Sequence, residues 1–253
     1  MLCINVLSFL IIVVIWNYKS TDTDFAETAL KSSRTGQSEQ PTKYITSGQR
    51  FSQPYDIKHQ SFGRLIDDSI DLRIIDNFLT LDECQSLIES ADSRYQRSMV
   101  QGTIGGTVHA GRTSDTVPMY PSESPLIMPI MNKATQLIAG SLRHLEPLQM
   151  VRYQDGQQIH THYDSWNDTL RNKKKNQRLF TWFVYLNTVK VGGGTHFHHL
   201  DRTFYPQAGT AIFWRNMNST YQPETRSLHS AMVVGDHMTK YGLNIWYNVY
   251  PTR

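Results

Sequence analysis

Two segments of the chain repeat apolar residues at helical spacing. In the first, Thr80 and Glu83 stand at the spacing of a capping box, and the apolar residues that follow fall on one helical face. The second runs from Pro125, which a first helical turn accepts, to Gly140. This pattern predicts two helices that each pack one face against a core.

After Gly140 the apolar pattern changes to short β-branched and aromatic runs. Glycine, asparagine or charged residues separate these runs, as turns separate strands. The runs are LQMVRY, QQIHTHYD, FTWFVYLNTV, GTAIFWR, SAMVVG and LNIWYNVY. Strands that follow two helices predict a mainly β domain of the α+β class, with a sandwich or barrel core and helices on one side.

The first sixteen residues, MLCINVLSFLIIVVIW, are mostly apolar. This run is shorter than the roughly 18 to 20 residues of a comfortable membrane span and suits the apolar region of a secretory signal. No small-residue cleavage site follows it. We therefore expect residues 1–16 to be an uncleaved signal anchor or a cleaved signal peptide. The first alternative predicts a single-pass protein of the endoplasmic reticulum membrane with a lumenal domain, and the second a protein of the secretory lumen.

Residues 17–56 contain only Leu30 and Ile45 among Val, Ile, Leu and Met. A segment so poor in apolar side chains cannot bury enough surface to fold, so it predicts a flexible polar stalk. The folded domain is expected at residues 57–253.

Composition and charge restrict the classes of function. The 253 residues are 39% apolar and carry a formal charge of +3, which suits one substantial globular domain. The basic run at residues 171–178 lacks interleaved aromatic residues, so it indicates a solvated loop and no nucleic-acid partner is expected. Two distant cysteines, Cys3 and Cys84, exclude a disulfide framework.

The run QIHTHYD contains candidate metal ligands. Residues two apart in a strand project from one face, so His162 and Asp164 can reach one ion. A third histidine from elsewhere would complete the two-His, one-carboxylate set that leaves three positions open on Fe(II). His160 shares the face, but three ligands along one strand would span about 7 Å, too far for a compact set. His160 is therefore expected at the rim.

Two regions could supply the third histidine. His229 begins a later strand-like run, with several strands between it and His162. A second His-x-Asp, at His199 and Asp201 beside His196 and His198, follows three glycines and lacks a flanking strand pattern. We interpret that second cluster as a polar loop and a weaker metal candidate.

These motifs together resemble the prolyl 4-hydroxylase family of Fe(II)/2-oxoglutarate dioxygenases, over about Ile70 to Tyr250. The resemblance rests on IIDNFLTLDECQSLIESA, GRTSDT, EPLQMVRYQDGQQIHTHYD, FTWFVYLNTVKVGGGTHF, GTAIFW and SLHSAMVVGDHMTKYGLNIW. It implies a double-stranded β-helix, or jelly roll, in which His162, Asp164 and His229 hold Fe(II). It also implies 2-oxoglutarate as co-substrate and L-ascorbate as a further cofactor.

The resemblance also assigns residues around the metal. Lys240 matches the lysine that pairs with the far carboxylate of 2-oxoglutarate, and Tyr153 matches a tyrosine that hydrogen-bonds it. Thr195 of the Gly-Gly-x-Thr tract and Trp246, six residues after Lys240, also match family positions in the co-substrate site, although a turn or packing role would explain Thr195 at least as well. Arg178 resembles an arginine near the substrate groove, although a structural salt bridge would explain it equally.

The chain departs from the family pattern between its distal histidine and its lysine. The family usually has its lysine ten residues after the histidine, where this chain has Thr239, and Lys240 comes one residue later. The usual proline-valine pair is also missing. A one-residue bulge would restore the direction of the lysine, because a single insertion otherwise turns a strand residue to the opposite face.

The activity implied by the resemblance is 4-hydroxylation of peptidyl proline with O2 and 2-oxoglutarate, releasing succinate and CO2. The same chemistry on another target, such as a lysyl side chain, is one alternative. A non-catalytic peptide-binding module of the same fold is a second, against which the intact ligand set argues. Nucleic-acid repair would require a basic groove lined by aromatic residues, which the 171–178 run does not supply.

Overall fold

The computed structural model describes residues 62–99, 111–165 and 176–252. The predicted signal segment, the predicted stalk and most of the basic run lie outside these ranges. Within them, the helices are too short and too polar to cross a membrane.

The described ranges contain two α-helices, as predicted. Helix α1 is Leu81–Ala91, and its capping box is confirmed: Thr80 Oγ1 accepts from the Glu83 amide at 3.1 Å while Glu83 Oε2 accepts from the Thr80 amide at 2.8 Å. Helix α2 is Ile127–Leu137. It begins two residues after Pro125, and the Gly140 amide donates to Thr135 O at 2.8 Å just beyond its end.

Twelve strands form two antiparallel sheets in the described ranges. The larger sheet has the order β1-β2-β10-β7-β12-β5-β4-β3, and the smaller has the order β6-β11-β8-β9. The strands are β1 (Arg64–Asp67), β2 (Leu72–Ile75), β3 (Gln96–Arg97), β4 (Asp115–Met119), β5 (Leu148–Tyr153), β6 (Ile159–His162), β7 (Arg178–Tyr185), β8 (Thr195–Phe197), β9 (Arg202–Phe204), β10 (Ala211–Arg215), β11 (His229–Ala231) and β12 (Lys240–Asn248). This architecture confirms the predicted mainly β fold with flanking helices.

The larger sheet is buried on both faces. Along β7, Phe180, Trp182 and Val184 join the core formed with α1 and α2, whereas Phe183 and Tyr185 belong to a second core that includes residues of the smaller sheet. Such alternation is what the period of two residues in a strand produces. The second core surrounds the polar residues discussed below.

One prediction about local structure was wrong. The segment after the three glycines was expected to be a polar loop, but Thr195–Phe197 form β8 and pair with both β11 and β9. His196 is therefore a strand residue. Its two neighbours, Thr195 and Phe197, are both buried and form the inward face of β8.

Candidate active site

The three predicted metal ligands lie together at one end of the smaller sheet. His162 ends β6 and pairs with His229, the first residue of β11. Their ring centroids are 4.3 Å apart, and His162 Nε2 lies 3.7 Å from Asp164 Oδ1. One ligand atom from each of the three residues lies within 4.8 Å of the others. Among the described residues, this is the only group of three or more potential ligands that could share an ion.

The route by which Asp164 reaches the histidines differs from the prediction. Strand β6 ends at His162, so Asp164 lies in a bend beyond the strand and not on its next rung. The register also shifts, since His229 pairs with His162 but Ala231 pairs with Ile159. The extra residue on β6 is a bulge, and simple alternation along the strand therefore does not describe this site.

Backbone carbonyls fix the orientation of both imidazoles. His162 Nδ1 lies 2.8 Å from His160 O, and His229 Nδ1 lies 2.8 Å from Ser227 O. A carbonyl can only accept, so each Nδ1 carries the proton and each Nε2 keeps its lone pair. This is the arrangement in which a histidine binds a metal through Nε2.

The far oxygen of Asp164 is held by two donors. Its Oδ2 accepts from Thr181 Oγ1 at 2.8 Å and from Trp246 Nε1 at 3.1 Å. Oδ1 is the oxygen that faces His162. Trp246 had been assigned to the co-substrate, but its indole N–H is directed at the carboxylate. Thr181 was not among the predicted site residues, although a polar residue within the apolar run of β7 is a visible signal in the sequence.

The protonation states of Asp164 and His162 suit the binding of a metal cation. Burial raises the pKa of Asp164, but His229, His162, Arg178 and the Thr181 hydroxyl outweigh it and lower the pKa to about 2. Burial and the neighbouring His229 lower the pKa of His162 to about 4. The carboxylate is thus ionised and this imidazole neutral at physiological pH, as metal ligands must be.

Lys240 has a buried amine with no counter-ion among the described residues. Its side chain is fully buried, and within the described residues Nζ has no hydrogen-bond partner. The aromatic faces of Tyr153, Phe183 and Tyr185 lie around it, with centroids 5.2, 4.9 and 5.3 Å from Nζ. Burial lowers the pKa of Lys240 to about 7. An amine in this setting requires an anionic ligand to hold its charge.

The predicted bulge before Lys240 is absent. Strand β12 begins at Lys240, which pairs directly with Tyr153 of β5. The extra residue is instead accommodated in a turn between β11 and β12, where Asp236 and His237 have φ of 58° and 54°. A turn of left-handed residues takes up an insertion without altering the direction of the strand that follows.

One cavity is lined by all three candidate metal ligands. It has a volume of about 540 Å³, and its lining includes the three candidate ligands as well as Tyr153, Phe183, Thr195 and Trp246. Thr195 is buried, and its Oγ1 lies 2.8 Å from the Tyr185 hydroxyl. Burial raises the pKa of Tyr153, so its phenol remains a hydrogen-bond donor. The lining therefore includes two residues that carry hydroxyl groups, Tyr153 and Thr195, and Lys240 Nζ lies 5.2 Å from the ring centroid of Tyr153.

Two arginines lie in the lining of the same cavity. Arg178 pairs with Glu146 through two hydrogen bonds of 2.8 Å, so the salt bridge considered from the sequence is present. Arg112, in the tract GRTSDT, donates from Nη2 to Gln149 Oε1 at 3.2 Å. His160 is exposed and also lines the cavity, outside the group of three ligands.

The histidines in and just after β8 lie apart from the candidate ligands. His196 and His198 have ring centroids 4.6 Å apart, and His196 Nδ1 lies 2.9 Å from Thr203 Oγ1. Neither belongs to a group of three potential ligands in the described residues. Their contacts are with hydroxyl groups of the smaller sheet.

The observed groups fit the cofactors of an iron oxygenase. Two Nε2 lone pairs and one carboxylate oxygen form a donor set that leaves positions on a metal open. The unpartnered Lys240 amine fits the free carboxylate of a dicarboxylic acid that chelates the metal at its other end. Metal and co-substrate can thus share the cavity.

Comparisons with known proteins agree with this geometry. Residues 148–248 match the model of the 2OG-Fe(II) oxygenase superfamily. A putative prolyl 4-hydroxylase of Acanthamoeba polyphaga mimivirus is 27% identical over 180 residues, 69% of this chain and 72% of that protein. Prolyl 4-hydroxylase subunit alpha-2 of Gallus gallus is 26% identical over 175 residues, 66% of this chain and 32% of the subunit. The chain thus spans about a third of the length of such subunits.

Solved structures similar to this chain are also prolyl hydroxylases. The viral collagen prolyl hydroxylase of Paramecium Bursaria Chlorella virus-1, in complex with 2-oxoglutarate, is 28% identical, with a TM-score of 0.59 over 71% of this chain and 96% of that one. A prolyl hydroxylase of Trichoplax adhaerens, solved with a hypoxia inducible factor peptide fragment, shares the fold at 15% identity and a TM-score of 0.54, over 70% of this chain and 83% of that one. The chain thus contains a match to the 2OG-Fe(II) oxygenase superfamily at residues 148–248 and resembles prolyl 4-hydroxylases in both sequence and structure.

Proposed function

We propose that this protein hydroxylates peptidyl proline at C4, consuming O2 and 2-oxoglutarate and releasing succinate and CO2. The observation that carries the proposal is the buried Lys240 amine, which has no hydrogen-bond partner among the described residues, next to a cavity lined by His162, Asp164 and His229. A protein that only bound peptides would have no use for a buried amine that requires an anion. The choice of proline is supported by the relatives, whose names are those of prolyl hydroxylases.

Each residue has a role in the proposed reaction. His162, Asp164 and His229 hold Fe(II), which supplies activation of O2 when bound with 2-oxoglutarate. Lys240 and the Tyr153 hydroxyl bind the far carboxylate of 2-oxoglutarate and so orient its keto acid end toward the ligands. Thr195 contributes a hydroxyl on the same wall. The apolar rings of Phe183 and Trp214 exclude water from the cavity.

The mouth of the cavity supplies polar groups for a peptide. Arg112, Gln149 and Asn244 line it on three neighbouring segments, and Gln149 Oε1 lies 3.2 Å from Arg112 and 3.4 Å from Asn244. Arg178, on β7, extends this polar surface. Such groups suit the carbonyl and amide groups of an extended peptide, whose proline would enter the cavity.

The proposal also includes L-ascorbate as a reductant and a lumenal location for the domain, anchored by residues 1–16. The apolar sequence of residues 1–16 supports this location. Protease added to intact microsomes should leave the full-length chain protected except for any short cytoplasmic tail, and detergent should abolish the protection. Digestion of the domain without detergent would contradict a lumenal location.

Peptide-stimulated turnover tests the proposed activity. The full chain, supplied with Fe(II), ascorbate and 2-oxoglutarate, should release succinate at least tenfold faster with some members of a panel of proline-rich peptides. The matched controls are the same peptides with each proline replaced by alanine, which should not stimulate turnover. Equal stimulation by the alanine peptides, or stimulation by lysine peptides alone, would contradict the assignment to proline.

A further inference from the structure

We propose that Glu146 is a positioning residue for the metal centre and acts on Asp164 through Arg178 and Trp246. The inference rests on the proposed role of Asp164 as a metal ligand. Glu146 does not line the cavity, yet we expect it to affect the affinity for the metal.

Asp164 needs side-chain support because its backbone lies beyond the end of β6. A carboxylate has two equivalent oxygens, and rotation about its side chain would direct either of them, or neither, at the two imidazoles. The contacts of Oδ2 with Thr181 Oγ1 at 2.8 Å and Trp246 Nε1 at 3.1 Å select the orientation in which Oδ1 faces His162. Partners of this kind tune ligand geometry and basicity.

The indole of Trp246 is in turn held by Arg178. The guanidinium carbon of Arg178 lies 3.4 Å from the centroid of the indole ring, in a stacked cation–π contact. A cation on the ring face draws electron density from the indole and makes its N–H a stronger donor. The flat contact also opposes rotation of the ring away from Asp164.

Glu146 fixes the guanidinium in that position. Its two carboxylate oxygens accept from Arg178 Nε and Nη2, both at 2.8 Å. Asn248 Nδ2 also donates to Glu146 Oε1 at 3.1 Å, and the Glu146 amide donates to the Trp246 carbonyl at 3.1 Å. Glu146 is thus tied to both the side chain of Arg178 and the backbone of Trp246, and a bidentate pair has the directionality that a stacked guanidinium requires.

Binding of Co2+ in the absence of 2-oxoglutarate and peptide tests this chain of contacts. Glu146→Ala should weaken Co2+ binding about tenfold, and Trp246→Phe, which keeps the ring but removes the N–H donor, should weaken it by a similar factor. If both act through one path, the double variant should bind about as weakly as Trp246→Phe alone. A role of Arg178 in peptide binding only would leave the Co2+ affinity of Glu146→Ala unchanged.

A matched control separates the proposed effect from loss of an ion pair in general. Glu123 pairs with Arg94 at 2.7 Å with similar exposure and does not line the cavity, so Glu123→Ala should bind Co2+ as the wild type does. Should Glu146→Ala fail to fold, Glu146→Gln retains its shape and one acceptor, and a smaller loss of affinity is expected.

Three results would overturn the inference. They are wild-type Co2+ affinity in folded Glu146→Ala or Glu146→Gln, fully additive losses in the double variant, and an equal loss in the Glu123→Ala control. A wild-type protein that does not bind Co2+ would instead refute the proposed metal centre, and this inference with it.

Discussion

Asp164→Asn should reduce 2-oxoglutarate turnover by more than a hundredfold. The substitution keeps the size of the side chain but replaces the charged oxygen that faces the histidines. Loss of an outer partner of a metal ligand typically costs 10- to 100-fold, and loss of the ligand itself should cost more. Initial rates of succinate release at saturating 2-oxoglutarate, together with a Co2+ titration, measure the effect.

The control for this variant is Asp115→Asn, which removes a carboxylate paired with Arg152 at 3.2 Å outside the cavity. Its turnover should stay within twofold of the wild type. Melting temperatures without metal show whether Asp164→Asn is folded, which we expect because an amide oxygen can still accept from Thr181 and Trp246. Turnover near the wild-type rate in folded Asp164→Asn would contradict the assignment of Asp164 as a ligand.

Lys240→Met should weaken 2-oxoglutarate binding by at least a hundredfold while leaving the metal site intact. Removal of one partner from a buried ion pair costs about 3–5 kcal/mol, and about 1.4 kcal/mol corresponds to a factor of ten. Calorimetric titration of 2-oxoglutarate into the Co2+-loaded protein measures the change. Co2+ affinity serves as the internal control and should be unaltered.

The pH dependence of that binding gives a further check on Lys240. The pKa of Lys240 lies at about 7, below its ordinary value of 10.5, because burial disfavours the charged amine. Binding of a carboxylate requires the protonated form, so wild-type affinity for 2-oxoglutarate should fall as pH rises above about 7, by up to tenfold per pH unit. Lys240→Met should lack this dependence. An unchanged pH profile in Lys240→Met would show that another group controls it.

The stability of the folded protein should rise with pH, whereas its affinity for 2-oxoglutarate should fall. Between pH about 7 and 10.5 the unfolded wild-type chain binds a proton at Lys240 that the folded protein does not. Its free energy of unfolding therefore rises with pH across this window. Without 2-oxoglutarate, Lys240→Met should be at least as stable as the wild type at pH 7, since methionine is buried without the cost of desolvating an amine. A residue that lowers stability but binds the co-substrate is expected at a functional site.

Much of the fold could be predicted from local patterns. The capping box at Thr80 specified where α1 begins, and the six predicted strand runs correspond to β5, β6, β7, β10, β11 and β12. The strands that were missed are short, from two to five residues, and offer too few alternating positions to show a period. β8 was missed because its three residues lie between a glycine run and a histidine cluster, both typical of loops.

The candidate site was only partly predictable. Spacing and resemblance predicted His162, Asp164 and His229, which line one cavity, and Lys240, whose amine lies over the rings of Tyr153 and Phe183 in that lining. The sequence could not show that Asp164 lies past the end of its strand, nor that Trp246 and Thr181 hold it, because these contacts join residues far apart in the chain. Likewise, an insertion before Lys240 can be absorbed by a bulge or a turn, and only tertiary structure decides between the two.

The most direct test of proline hydroxylation is mass spectrometry of a proline-rich peptide after reaction with the full chain, Fe(II), ascorbate and 2-oxoglutarate. We predict a gain of one oxygen atom, located by fragmentation on proline, with 4-hydroxyproline found after hydrolysis and absent from reactions that lack 2-oxoglutarate. Oxygen incorporated on lysine or another residue, or succinate formed while every peptide in a diverse panel stays unmodified, would contradict the proposed activity.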